Sequence, residues 1–281
     1  MEHALADLSA GVVVQPVRSI VPVAPHQGFF GVMPAYAGVL GAKLVTFYPH
    51  NESIPTHHAL ILLFRPETGE PLAIMDGRLI TEMRTAAVSA VATRHLARAD
   101  SSVLAILGSG VQAGSHLEAL RLVRSFSEVR VFSPRSGQAF AERHGVKAAA
   151  SAEEAVRGAD VVVVATGSKI PVLFGRWLSP GAHVNAVGAV RPDWRELDDE
   201  LLTRARLFVE SREAAGQESG DVIAAREIVA ELGEVVAGVR PGRQAADEIT
   251  LWKSVGVAVE DLAAAGLVYR AHQQATQNQP D

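Results

Sequence analysis

The sequence predicts an α/β protein, a Rossmann-type doubly wound parallel sheet joined to an α+β domain whose sheet is mostly antiparallel. Three observations predict it. Val103–Leu107 is an apolar run that ends in Gly108-Ser109-Gly110-Val111-Gln112-Ala113, a G-x-G-x-x-A pattern between a strand and a helix. Beyond that point short apolar runs alternate with helical stretches, the βαβ signature of a parallel sheet. Before it, β-rich runs broken by Pro and Gly follow one another with the spacing of an antiparallel meander.

Element by element, residues 12–14, 20–23, 29–32 and 43–48 read as strands, followed by 59–64 and 71–75. Pro66-Glu67-Thr68-Gly69-Glu70 makes the turn between the last two. Residues 81–95 read as a helix whose alanines permit close packing. After the glycine loop come a helix at 115–122, a strand at 129–132, a helix over Gly137–His144 and a helix at 151–158 that Ser151 can cap. Residues 161–165 are apolar without alternation, as in a strand buried on both faces. Strands at 183–187 and 207–209 and an apolar helix from 254 to about 273 complete the pattern.

With 281 residues, 48% of them hydrophobic and 20% charged, the chain can bury one large core or two. A net charge of −5 argues against a nucleic-acid surface, and the absence of cysteine excludes disulfides, thiolate metal sites and a cysteine nucleophile. The first residues lack a secretion signal and no apolar run reaches membrane-span length, so a cytoplasmic protein without membrane partners is expected. The ten histidines show no metal-ligand spacing; His57 and His58, adjacent on a strand, would point to opposite faces. No metal is expected.

The glycine pattern carries the first chemical inference. Gly108 permits the turn, Gly110 lets the backbone approach a pyrophosphate, and the amides of Val111 and Gln112 open a helix whose dipole favours the phosphates. NAD-specific folds place an acid after the second strand to bind the ribose. Here that position reads Ser133-Pro134-Arg135-Ser136, with no carboxylate and with an arginine that either receives a 2′-phosphate or is a solvated turn residue. The missing acid favours NADPH.

Several segments together resemble the ornithine cyclodeaminase/mu-crystallin family, and most its ketimine reductase branch. They are Met33-Pro34-Ala35-Tyr36, Lys43-Leu44-Val45-Thr46-Phe47-Tyr48, Met75-Asp76-Gly77, Arg84-Thr85-Ala86-Ala87, Asn185-Ala186-Val187-Gly188-Ala189, Arg191-Pro192-Asp193-Trp194-Arg195-Glu196-Leu197, Glu218-Ser219-Gly220-Asp221 and Lys253-Ser254. The resemblance implies a substrate and dimerisation domain over 1–96, with 257–281 returning to it, and an NADP-binding domain over 97–256. It implies that Arg18, Lys43 and Arg84 hold a substrate carboxylate, a role that suits arginine's fork and lysine's point charge. It also places Thr56, His57, Arg84, Thr85, Thr166, Val187 and Ser254 against the cofactor. Family members carry a further helix ahead of the stretch matching 1–11, so this chain is expected to begin within their second helix. At Val190 cyclodeaminases carry an acid/base aspartate, and valine cannot transfer protons.

The implied activity is NADPH-dependent reduction of the C=N bond of cyclic ketimine carboxylates by a homodimer. The same cations would serve a non-catalytic, NADPH-regulated carrier of a small hydrophobic acid, thyroid hormone being the family's example. Ornithine cyclodeamination is disfavoured by Val190. Among other polar residues, Asp193, Glu196, Asp198 and Asp199 read as helix-start acids that solvate a surface. His183 reads as a hydrogen-bonded core histidine, and Glu218-Ser219-Gly220-Asp221 fits an N-cap as well as a site.

Overall fold

Alternation of side chains builds the first sheet. The computed structural model describes residues 1–277. After a short helix, α1 (Glu2–Ser9), the strands β1 (Ser19–Val23), β2 (Gly28–Tyr36), β3 (Leu40–Phe47), β4 (His57–Phe64) and β5 (Pro71–Asp76) pair antiparallel in chain order. Met33, Lys43 and Ile61 are neighbours across β2, β3 and β4 on the covered face. There Met33, Ala35, Ile61 and Leu63 pack with Ala258, Leu262 and Ala265 of the last helix.

Two expectations change here. The strand expected at 12–14 reduces to a single bridge between Val14 and Tyr36, because Gly11 turns the chain at φ +71° and Pro16 lies just beyond. β2 in turn runs past its expected end, through Pro34. Its pairing with β1 stops at Val32, so the absent Pro34 N–H breaks no ladder bond.

A long helix, α2 (Gly77–Leu96), leaves the sheet, and the chain divides into its two units inside it. One unit holds residues 3–84 and 256–277; the other holds Thr85–Val255. The division thus precedes the expected 96/97 boundary. The later turns of α2 belong to the second unit because their small side chains are engaged there. Ser89 Oγ meets His116 Nε2 at 2.9 Å, Thr93 Oγ1 accepts from Asn185 at 3.0 Å, and Ala90 joins the core of Leu104, Ile106 and Leu117.

The second unit runs β6 (Val103–Leu107), α3 (Val111–Arg121), β7 (Glu128–Phe132), α4 (Gly137–His144), β8 (Lys147–Ala148), α5 (Ala152–Val156), β9 (Val161–Val164), β10 (His183–Ala186), α6 (Asp199–Arg204), β11 (Ala205–Val209), α7 (Arg212–Glu218), α8 (Gly220–Ala224), β12 (Ile228–Glu231), α9 (Leu232–Val236) and β13 (Ile249–Lys253). Its eight strands form a parallel sheet in the order β12-β11-β13-β10-β9-β6-β7-β8. The winding runs outward from β6 through β7 to β8, then resumes at β9 on the other side of β6. That reversal opens a crevice at the carboxyl ends of β6 and β9, where doubly wound sheets bind ligands. Ser151 caps α5, its Oγ accepting from the Glu154 amide at 3.0 Å. His183 is a core histidine, 3.0 Å from Thr250 Oγ1 and 3.3 Å from Asn185 Oδ1. The last helix, α10 (Ala258–Gln277), starts later than expected because Gly256 turns the chain at φ +73° first. Ser254 therefore stays at the end of β13.

Candidate active site

In the second unit the expected cofactor residues, Thr85 of α2 apart, gather at the carboxyl ends of the parallel strands. Gly108 follows β6 at φ +114°, and a Cβ there would stand 2.2 Å from the Ala165 carbonyl oxygen. Only glycine lets these two strand ends approach so closely. Gly110 is the N-cap of α3, with nothing within 4 Å of where its Cβ would be. Space is thus open over the first amides of the helix, at Val111 and Gln112, while Ala113 is fully buried below. The Gln112 side-chain oxygen is buried without a protein partner. The open space at Gly110 and the amides at the start of α3 fit a dinucleotide pyrophosphate.

Ser109 Oγ lies 2.6 Å from Ser136 Oγ, which ties the glycine loop to the loop after β7. That loop carries Ser133 and an exposed Arg135. Thr166 follows β9, and Val187 follows β10, its amide donating to Val164 O at 2.9 Å. Ser254, after β13, donates its hydroxyl to Glu210 at 2.6 Å, and the Val255 amide donates to the same carboxylate at 3.1 Å. Glu210 therefore fixes the Ser254 side chain and leaves its oxygen lone pairs as acceptors.

Sequence reasoning misjudged one acid. Asp198 does cap α6, accepting from Leu201 N at 2.9 Å, and Asp199 is exposed in its first turn. Glu196 is fully buried and accepts from Thr166, while Asp221, also buried, accepts from the Glu196 and Leu197 amides. Proximity in sequence to the helix start hid this. The pairing of 196 with 221 and 166 exists only in the fold.

In the first unit Arg18, Lys43 and Arg84 come together around two acids of α10. Lys43 Nζ lies 2.6 Å from Asp261 Oδ2; Arg84 Nη1 lies 2.6 Å from Glu260 Oε2 and its Nε 2.9 Å from Asp261 Oδ1. Arg18 donates to the Gly256 carbonyl, and Val259 N donates to Gln15 at 2.9 Å, so the segment before β1 is tied to the start of α10. Burial lowers the Lys43 ammonium to about 8, with the Arg84 and Arg18 charges adding to the fall and Asp261 opposing it. Burial works to raise Asp261, but Arg84 and Lys43 outweigh it and hold the carboxyl below its ordinary value. Two guanidiniums and an ammonium gathered in one place suit a carboxylate ligand. Thr56 precedes β4 and His57 opens it, with the imidazole laid on Phe47 at 4.4 Å between ring centroids. Desolvation, the Lys43 charge and His58 lower His57 below its usual range.

A doubly wound sheet with a glycine-lined crevice is the architecture of a dinucleotide-dependent dehydrogenase, and the other unit gathers cations that suit a small anion. The chain belongs to the ornithine cyclodeaminase/mu-crystallin family, whose model matches residues 1–276. It is 53% identical over 282 residues to the ketimine reductase mu-crystallin of Rattus norvegicus, covering 96% of this chain and 90% of that one. Among solved structures it is similar to the Δ1-pyrroline-2-carboxylate reductase of Thermococcus litoralis in complex with NADH and L-proline. That likeness has 40% identity and a TM-score of 0.93, over 98% of this chain and 92% of that one. An archaeal alanine dehydrogenase dimer with bound NAD is 35% identical with a TM-score of 0.90, over 98% and 90% of the two chains.

Proposed function

We propose that this protein reduces the C=N bond of cyclic ketimine carboxylates with NADPH. The observation that carries the reading is the gathering of Arg18, Lys43 and Arg84 by the start of the last helix, Lys43 and Arg84 buried on Glu260 and Asp261 and half-buried Arg18 on the Gly256 carbonyl. Forked guanidiniums and an ammonium suit a carboxylate, and relatives named for reduction of a ketimine and of pyrroline-2-carboxylate support the reading. When bound, the reduced nicotinamide supplies a hydride to the imine carbon. The guanidinium forks and the ammonium bind and orient the carboxylate, and positioning of this kind accounts for much of the acceleration of such transfers. A protonated imine arrives as the better electrophile with its nitrogen proton in place, so C=N becomes an amine without a protein acid. That reconciles the activity with Val190.

Ser133, Arg135 and Ser136, with no carboxylate among them, support NADPH over NADH. Thr85, Gly108, Gly110, Val111, Gln112, Thr166, Val187 and Ser254 would line the rest of the cofactor. The test is loss of reduced-cofactor absorbance when purified protein meets a panel of cyclic ketimines. Hormone binding that depends on NADPH, without turnover of any ketimine, would replace the enzyme with a carrier, since thyroid hormone offers the clamp a carboxylate too.

A homodimer in the cytoplasm completes the proposal. The face of the antiparallel sheet opposite α10 presents Val21, Leu60 and Ile74 to solvent, 53%, 48% and 73% exposed. Apolar sheet faces of this kind are covered by a partner. A monomer in light scattering at working concentration would rule the dimer out.

A further inference from the structure

The loops that end β9 and β10 close over a sealed carboxyl. Glu196 Oε1 accepts from the Thr166 amide at 2.9 Å and from its hydroxyl at 2.5 Å. A Cβ on Gly188 would stand 2.4 Å from Glu196 Oε2, so glycine lets the β10 loop lie on the carboxyl. Behind it, Asp221 Oδ1 accepts from the Glu196 and Leu197 amides, each at 3.1 Å. Lys253 Nζ donates to the Gly188 carbonyl and lies 3.6 Å from Asp221 Oδ2. Glu196, Asp221 and Lys253 are all sealed from solvent, and Glu196 Oε2 and Asp221 Oδ2 have no hydrogen-bond partner. Two carboxyls against one ammonium in such a place favour a retained proton. The next residue, Ala189, sits at φ +51°, a conformation that surrounding contacts must impose on a non-glycine residue.

On the reading of this crevice as the dinucleotide site, we propose that Glu196 is a positioning residue that binds and releases a proton, and so sets how firmly the Thr166 and Gly188 loops are held around the cofactor. Burial pushes the Glu196 carboxyl up to about 7, against the Lys253 charge and the Thr166 hydrogen bonds, with Asp221 adding to the rise. Burial raises Asp221 as well, opposed by Lys253, by the two amides it accepts from and by Arg195. The charged groups facing Glu196 are thus Lys253 from β13 and Asp221 from α8, with Arg195 beside the latter. When ionised, Glu196 makes charge-assisted bonds to Thr166, roughly twice as strong as those of the neutral acid. The loops are therefore gripped harder above neutrality than below it.

The experiment follows binding of NADPH by its fluorescence, over about pH 5.5–8.5, in the unmodified protein, Glu196→Gln and Gly188→Ala. The unmodified protein is expected to bind about three- to tenfold more tightly at the upper end. Glu196→Gln keeps an acceptor for Thr166 but cannot ionise, so its affinity should stay at the low-pH value throughout. Gly188→Ala pushes the carboxyl from its place and should also lose the step, which serves if the glutamine variant does not fold. Titration of the 2′-phosphate is common to all three proteins and cancels in the ratio. A purely structural role would shift affinity equally at every pH. A Glu196→Gln profile that tracks the unmodified protein overturns the role of Glu196 while leaving the cofactor site standing. No binding by the unmodified protein at any pH overturns both.

Discussion

Lys43 and Asp261 form a sealed ion pair, Nζ to Oδ2 2.6 Å, on a strand and a helix more than two hundred residues apart in sequence. Removal from water is the largest influence on this lysine and brings it to about 8, where an ordinary lysine stays charged to beyond pH 10. A carboxylate ligand needs the charged form. Affinity for a cyclic carboxylate that does not itself titrate should be flat below pH 8 and fall above it, by up to about tenfold per unit. Inhibition constants measured against pH check this. A profile level to pH 10 would remove Lys43 from the clamp.

Arg84 and Arg18 should respond differently to loss of charge. Arg84 pairs with Glu260 and Asp261, both buried, so Arg84→Met takes a guanidinium from two buried carboxylates, Asp261 keeping Lys43, and is expected to destabilise the fold by about 3–5 kcal/mol. Arg18 donates to the Gly256 carbonyl and is only half-buried, which makes it the better probe of the clamp. Arg18→Met should lower kcat/KM for a carboxylated imine about 10- to 100-fold, the worth of a hydrogen bond to a charged group. An imine without the carboxylate should lose far less. Equal losses on both substrates would show that Arg18 acts on the protein and not on the ligand.

Much of this was legible in the chain because it depends on local pattern. Four consecutive valines, Val161 to Val164, could only be a buried strand, and the three residues Gly108, Gly110 and Ala113 marked a turn into a helix. What stayed hidden was set by distant partners. β13 contains a fully buried Lys253, which no apolar pattern admits, because its charge is answered by Asp221 and the Gly188 carbonyl. β12, of four residues at the sheet edge, carries too few apolar side chains to stand out. At the site, resemblance supplied the three cations, but nothing local showed that Glu260 and Asp261 would hold Lys43 and Arg84. Glu196 looked like its neighbours Asp198 and Asp199 until the fold brought Thr166 to it.

Cofactor choice rests on the loop after β7. Exposed Arg135 neighbours Ser136, whose hydroxyl is tied to Ser109, and in the proposed reading it pairs with a 2′-phosphate that no carboxylate of 133–136 repels. NADPH should bind more tightly than NADH, and Arg135→Ala should narrow the gap by about 1–3 kcal/mol. Fluorescence titrations of both cofactors measure it. Equal affinities in the unmodified protein would mean that the loop reads no phosphate.

Val190 separates reduction from cyclodeamination. It follows the strained Ala189 and is 38% exposed, so an acid would fit there without burial, yet the chain carries none. Cyclodeamination of ornithine oxidises the amine, moves protons among nitrogen, water and ammonia, and then reduces a cyclic imine. Loss of a general acid/base at this position removes about 10²–10⁴ in rate from those transfers. Reduction of a preformed iminium skips them. Ornithine with NAD should therefore give no appreciable proline or ammonia, while a cyclic ketimine with NADPH is turned over. The ketimine rate should fall as pH rises, first because the iminium loses its proton and then because Lys43, at about 8, loses its own. A rate that climbs steadily with pH would require a protein base that this mechanism does not contain. Appreciable proline from ornithine would return the chain to the cyclodeaminases.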